Sequence, residues 1–296
     1  SATRRDRQPT GPFPAMDQSI PTRWPRDQPV WVRFREYGPH SVPPGTTGVD
    51  SPPMDGTIAL VGSGEFTPSM EAVDRALLLA TGRDRPRVVV LPTASWPDGE
   101  ETFRRWAAQG EAHFAALGAE VEPVLVRGAE DANDPAAAAA IGEADLVYLS
   151  GGKPGHLLDA LDDGGVGTAL RAAHARGAVI AGCSAGAMVL AGHQLRSAGR
   201  AFVRFPIGWR DALGIVPGTI VIPHYDAFPE PLSAVMALAA PADTLVLGID
   251  EDTALVGRDT AWQVHGRGRV TVWRGRHRER LHAGETLRLP GAAARA

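Results

Sequence analysis

From residue 54 onward the chain alternates short, continuously apolar runs with helix-length amphipathic stretches. The runs fall at 58–61, 88–91, 124–126, 146–149, 178–181, 220–222 and 245–247. Several are apolar on successive residues, not on every second one, which marks strands that must be covered on both faces. Helical stretches such as 70–80, 100–117 and 156–161 lie between them, and the alanine run 136–140 suits another helix. Strands covered on both sides and separated by helices build a mostly parallel central sheet with helices on either face. A three-layer α/β sandwich is therefore expected.

The two ends of the chain read differently. Segments 253–256, 261–265 and 269–273 are short strands separated by Gly257-Arg258-Asp259 and Gly266-Arg267-Gly268. Turn chemistry of this kind predicts C-terminal antiparallel hairpins appended to the sheet. Residues 1–53 hold 11 of the chain's 25 prolines, scattered arginines and no sustained period. A Pro-rich, disordered or loosely draped extension is expected there, although Trp24, Val30, Trp31, Val32 and Phe34 could dock as one short strand. The hydrolytic body is expected to span 54–296, as one α/β domain with its hairpin extension.

Composition removes several classes of function. A net charge of −4 and a pI near 6.1 give no electrostatic case for nucleic acid or an anionic membrane. No apolar run approaches the roughly 18 residues that cross a bilayer. The charged start, residues 1–7, is not followed by the apolar stretch of a secretory signal, so the cytoplasm is expected. Cys183 is the single cysteine, which excludes an intrachain disulfide and cysteine-rich zinc sites. No metal or cofactor is expected. Homo-oligomerisation is compatible with the sequence.

In folds of this kind, ligands and catalytic groups gather outside the carboxyl ends of the parallel strands. The sharpest motif lies at one such end: Ala181-Gly182-Cys183-Ser184-Ala185-Gly186-Ala187 closes a strand and opens the helix that continues through Met188-Val189-Leu190. It fits G-x-S-x-G, in which a nucleophile on a strained strand-to-helix turn needs small neighbours two residues to either side. The turn lifts the Ser184 hydroxyl above the sheet, and the helix start favours the negative charge that develops nearby. A serine nucleophile needs a base. Of nine histidines, His113, His156 and His174 fall in helices and read as solvated, and His265, His277 and His282 lie in the arginine-rich tail. His224 ends the strand 220–222 within Pro223-His224-Tyr225-Asp226, 40 residues after Ser184. A carboxylate should then orient the imidazole. Asp250, Glu251 and Asp252 cluster at the next strand end, and alternation turns Glu251 away from its two neighbours. Which side meets His224 stays open on this reading. The Gly151-Gly152 pair directly after strand 146–150 offers bare amides, so Gly152 N–H with Ala185 N–H is the expected oxyanion hole.

Taken in order, strand-Gly-Gly, Ala-Gly-x-Ser-Ala-Gly-Ala, Pro-His-Tyr and Gly-Ile-Asp-Glu-Asp-Thr-Ala resemble the dipeptidase E and cyanophycinase family of serine peptidases over about residues 56–257. The resemblance implies a class I glutamine amidotransferase-like fold and hydrolysis through an acyl-enzyme. By the cyanophycinase-like pattern Ser184, His224 and Glu251 take the triad positions. In dipeptidase E the acid lies between serine and histidine, whereas no Asp or Glu occurs from Ser184 to Arg210 here. Cyanophycinases carry Asp-Gln before the histidine and arginines after it; this chain has Ile222-Pro223 before and Asp226-Ala227-Phe228-Pro229-Glu230 after. Lys153-Pro154 replaces the usual polar residue after the double glycine. These departures point to a small peptide substrate, and the family's preference for aspartyl residues on the amino side of the scissile bond implies a basic pocket. Lys153, Arg200 and Arg204 are its candidates.

Three rival readings compete. Amidotransferases of this fold use G-x-C-x-G, but Cys183 in that role would have Ala181 and Ala185 as its small neighbours and leave Gly182 and Gly186 without a reason. Gly62-Ser63-Gly64-Glu65 after the first strand is like a dinucleotide loop, yet it lacks the third glycine and the acidic ribose ligand. A non-catalytic relative of the family is the third.

Overall fold

The computed structural model describes residues 55–196 and 207–289. The expected extension 1–53, with its docked-strand option, lies outside the described residues. The first half runs β1 (Ile58–Val61), α1 (Glu71–Ala80), β2 (Arg87–Leu91), α2 (Glu100–Ala116), β3 (Glu120–Pro123), α3 (Pro135–Glu143) and β4 (Leu146–Leu149). There follow α4 (Pro154–Leu161), α5 (Gly165–Ala175), β5 (Val179–Cys183), α6 (Ala185–Leu190), β6 (Ala191–Leu195), β7 (Trp209–Asp211), β8 (Val216–Ile222), α7 (Glu230–Leu238) and β9 (Leu245–Ile249). Five strands close the chain: β10 (Thr253–Arg258), β11 (Ala261–Gly266), β12 (Arg269–Arg274), β13 (His277–His282) and β14 (Thr286–Arg288).

Strands β1, β5, β4, β2 and β3 are mutually parallel, and β10, β11 and β14 extend that sheet antiparallel from β1 to make eight strands. The double burial read from the sequence follows from alternation along each strand. Ile58 and Leu60 of β1 join the core formed with α3 to α6, whereas Ala59 and Val61 join the core under α1 and α2. Val89 and Val147 join the first of these cores, and Val88, Val90 and Tyr148 the second. This is the expected three-layer arrangement, and each fully buried leucine or valine adds about 1.5–3 kcal/mol to it.

The mostly parallel sheet and the C-terminal antiparallel strands are as expected; a second sheet is the addition. It has six strands in the order β13-β12-β9-β8-β6-β7, with β6, β8 and β9 parallel. One face, through Val221, Leu247, Val270 and Val272, joins the core shared with the first sheet, and the other packs with Met236 of α7. The chain passes between sheets three times in this region, at 250–252 from β9 to β10, at 267–268 from β11 to β12 and at 283–285 from β13 to β14.

Two expectations need correction. Residues 124–126 are not a strand: β3 lies just before them, on polar residues. It is an edge strand paired only with β2, so it needs no continuous apolar run, and Val124 and Val126 enter the core from the loop beyond it. Nor are the helix histidines solvated. His113 Nε2 lies 2.8 Å from buried Asp74 Oδ2, and His156 and His174 bond the carbonyls of Arg127 and Gly56 at 2.7 and 3.1 Å. His113 thus joins α2 to α1, and His156 and His174 each join a helix to a loop, which periodicity alone does not reveal.

Candidate active site

The carboxyl ends of β4 and β5 in the first sheet meet those of β8 and β9 in the second. Ser184 leaves β5 with φ 51° and ψ −106°, a conformation rare for a side-chain-bearing residue. Its amide is held by the Val61 carbonyl at 2.9 Å, and its carbonyl accepts from Met188 at 3.0 Å as α6 begins. The glycine spacing has a steric cause. A Cβ on Gly182 would lie 2.5 Å from the Gly186 carbonyl carbon, and one on Gly186 would lie 2.3 Å from the Leu149 oxygen.

His224 follows β8 in a left-handed conformation, φ 50° and ψ 38°. The next residue anchors it: Tyr225 is buried, accepts from Trp273 Nε1 at 2.9 Å through its hydroxyl, and lies where a Cβ on Gly248 would collide with its ring. With that backbone fixed, His224 Nε2 stands 2.9 Å from Ser184 Oγ and Nδ1 stands 2.9 Å from Glu251 Oε1. A carboxylate only accepts, so Nδ1 carries the proton and Nε2 is free to accept from the serine hydroxyl. Among the three consecutive carboxylates, Glu251 reaches the imidazole.

Its neighbours are engaged elsewhere. Buried Asp250 accepts from the Arg269 amide at 3.2 Å, and burial pushes its carboxyl above the usual range. Asp252, at φ 51°, accepts from Ser69 Oγ at 2.8 Å and pairs with Arg267. A further carboxylate, Asp226, accepts from the Glu251 amide at 2.9 Å and ties the loop after β8 to the loop after β9. Asp226 stands two residues from His224, but its role was not legible, because its partner is a backbone amide 25 positions away.

The double glycine lies beside the serine turn. A Cβ on Gly151 would lie 3.4 Å from Ser184 Cβ, and Gly152, at φ +143°, has the Ala94 oxygen where its own Cβ would be, at 2.2 Å. The Gly151 amide donates to Glu65 Oε1 at 2.9 Å, and the Cys183 thiol donates to Glu65 Oε2 at 2.9 Å. Glu65 belongs to the stretch that is like a dinucleotide loop, and its sequence neighbours give no sign of these partners. The available signal was a carboxylate in a glycine-rich loop at a strand end. Burial, reinforced by the charge on Glu65, pushes the Cys183 thiol well up. A cysteine nucleophile needs the reverse, a stabilised thiolate.

Of the basic candidates, Lys153 lies at the start of α4 and its ammonium pairs with Asp98 at 3.1 Å. Arg200 and Arg204 lie outside the described residues. Among the described residues no group of three or more His, Cys, Asp or Glu is placed to hold a metal, and no helix is long and apolar enough to cross a membrane.

Comparison with known proteins agrees with this chemistry. The cyanophycinase of Trichormus variabilis (strain ATCC 29413 / PCC 7937) is 29% identical over 223 residues, covering 73% of this chain and 72% of its own. The cyanophycinase of Synechococcus elongatus is 32% identical over 157 residues, covering 52% and 49%. A crystal structure of a peptidase from an acI-B1 Actinobacterium superposes with a TM-score of 0.72 at 31% identity, covering 81% of this chain and 99% of that one. A putative peptidase E protein from Listeria monocytogenes EGD-e shares the fold at 18% identity, with a TM-score of 0.51 and coverage of 72% and 100%. The sequence model of peptidase family S51 matches residues 58–265, and the chain therefore belongs to that family of serine peptidases.

Proposed function

We propose that this peptidase cleaves small peptides with an aspartyl residue on the amino side of the scissile bond, through an acyl-enzyme on Ser184. The observation that carries the reading is the continuous Ser184–His224–Glu251 chain of hydrogen bonds. In this mechanism Ser184 Oγ attacks the scissile carbonyl while His224 Nε2 takes its proton. Glu251 holds the Nδ1–H tautomer and stabilises the imidazolium. The Gly152 and Ala185 amides donate to the oxyanion. His224 passes the proton to the leaving amine, then takes one from the water that attacks the acyl-enzyme. Return of that proton frees Ser184.

The aspartyl preference rests on family resemblance, and Lys153, Arg200 and Arg204 are the candidates for the basic pocket it calls for. The choice of a small substrate over a polymer rests on Ile222-Pro223 before the histidine and on the absence of arginines directly after it. The curated relatives named cyanophycinase favour a second reading, hydrolysis at β-aspartyl-arginine units. We place the activity in the cytoplasm.

The test is a hydrolysis screen over Asp-Xaa, isoaspartyl and β-aspartyl-arginine dipeptides and cyanophycin, with Ser184→Ala alongside. Cleavage of Asp-Xaa dipeptides, lost by about 10⁴-fold or more in Ser184→Ala, is expected. Preferential release of β-Asp-Arg from the polymer would favour the second reading, and full activity in Ser184→Ala would overturn the mechanism.

A further inference from the structure

We propose that Glu65 is a positioning residue that holds the Gly151-Gly152 loop and the Ser184 turn in one fixed relation. The proposal rests on the oxyanion role given above to the Gly152 and Ala185 amides. Two separate strand ends must be aligned for those amides to converge: β4 delivers Gly152, and β5 delivers Ala185. Parallel pairing of β4 with β5 runs up to Leu149 opposite Gly182 and does not continue between the loops beyond.

The Glu65 carboxylate is the bridge across that gap. Oε1 accepts from Gly151 N–H and Oε2 from the Cys183 thiol, each at 2.9 Å. The two bonded residues directly precede Gly152 and Ser184. On its other side the glycine loop rests on the Ala94 oxygen, which accepts from the Lys153 amide at 2.7 Å. The loop is therefore clamped from two directions. A Cβ on Gly151 would lie 2.7 Å from Glu65 Oε1, so glycine at 151 is what lets the carboxylate approach the amide.

Glu65 is itself held with care. Gly64 takes φ +84°, its carbonyl accepts from Thr67 N and Oγ1 at 3.2 and 2.6 Å, and Phe66 takes φ 62°. A left-handed phenylalanine is strained and persists only where its surroundings over-determine it. Here the Phe66 ring packs with Trp106, His113, Phe114 and Tyr148 at centroid distances of 5.1–6.1 Å. Such a turn serves to aim the residue before it. A buttress acting through a neighbouring amide should matter less than the amide itself, whose loss costs about 10²–10³ in rate.

The experiment needs no assigned substrate. Fluorophosphonate labelling of Ser184 is resolved into its encounter constant and its maximal rate for wild type, Glu65→Ala and Glu65→Gln. In Glu65→Ala the maximal rate should fall about 10- to 100-fold with the encounter constant changed less than about threefold. Glu65→Gln keeps an oxygen that can accept from Gly151, so its rate should recover to within about fivefold of wild type. A maximal rate in Glu65→Ala within twofold of wild type would overturn the proposal, as would a loss confined to the encounter constant. So would a Glu65→Gln variant that folds with the wild-type melting temperature yet labels as slowly as Glu65→Ala. Ser184→Ala tests the underlying reading separately: labelling of that variant would refute the serine site and not the role of Glu65.

Discussion

Replacing Glu251 by glutamine isolates the carboxylate's charge while keeping its shape. Glu251 Oε1 lies 2.9 Å from His224 Nδ1, and the two side chains are 48% and 37% exposed. Unit charges about 4 Å apart interact by about 1 kcal/mol in water and about 4 kcal/mol at an effective dielectric of 20. A half-exposed pair falls between, so about 2–3 kcal/mol of imidazolium stabilisation should vanish once solvent screening is counted. At 1.36 kcal/mol per decade that is about 30- to 150-fold in rate. The amide can also donate to Nδ1 and select the tautomer in which Nε2 no longer accepts from Ser184, which adds to the loss. We therefore expect kcat to fall about 10²–10³-fold in Glu251→Gln with little change in KM, because the interaction strengthens only as charge develops. The assay is steady-state hydrolysis of the best dipeptide from the screen, with melting curves for each variant. Asp252→Asn should stay within about fivefold of wild type in kcat, since its carboxylate serves Ser69 and Arg267. Asp250→Asn should lower the melting temperature more than kcat. An inactive Asp250→Asn or Asp252→Asn beside a near-normal Glu251→Gln would refute the assignment, and so would equal losses in all three.

Cys183→Ala should keep labelling within about fivefold of wild type, since the thiol donates one weak hydrogen bond and burial keeps it protonated; loss of labelling while Ser184→Ala still labels would identify a cysteine enzyme. Burial lowers the pKa of His174 from its ordinary 6.5, and the neutral ring is bonded to the Gly56 carbonyl. A depressed histidine contributes stability above its unfolded value and loses it as pH falls through the folded one. The melting temperature should accordingly drop as pH falls below about 6.5, and His174→Gln should flatten that drop. An unchanged slope in the variant would rule out this histidine as the source.

What was legible in the sequence was set by short-range rules. Runs such as 58–61 and 146–149 fixed a doubly covered parallel sheet because burial on both faces leaves no other pattern. The glycines around Ser184 fixed the strand-turn-helix because a Cβ at either position strikes backbone. The second sheet was not legible. Its inner strands carry the same apolar signature as those of the first, and β13 exposes all but one residue, so hydropathy cannot assign a strand to one sheet or the other. Nor could alternation alone choose among residues 250–252. Glu251 is separated from its neighbours, but by a turn with Asp252 at φ 51° and not by strand alternation, and the turn is set by pairing to 267–269, far along the chain. Glu65 escaped for the same reason, since its partners lie 86 and 118 residues away.

The passage between sheets also accounts for where the site sits. Residues 250–252 leave one sheet for the other and cannot keep ladder bonds to both, so their backbone must be satisfied by the second passage beside them. It is: the Asp250 amide donates to Arg269 O at 3.1 Å, Arg267 N donates to Asp252 O at 2.9 Å, and Gly268 N donates to Thr253 Oγ1 at 2.9 Å. Gly266 and Gly268 permit this contact, since a Cβ on either would lie within 2.2–2.7 Å of Asp252, Asp250 or Thr253 atoms. With the backbone bound and both aspartates turned into the protein, Glu251 is the one side chain of the three with no structural duty, and it faces the seam between the sheets. Ser184 comes to the same seam from the first sheet and His224 from the second. A hydroxyl, an imidazole and a carboxylate can thus be held at 2.9 Å spacing by three strand ends, of which β8 and β9 share a ladder and β5 belongs to the other sheet. The geometry should consequently be more sensitive to changes at the passage, such as Gly268→Ala, than to changes of equal size within β1 or β4.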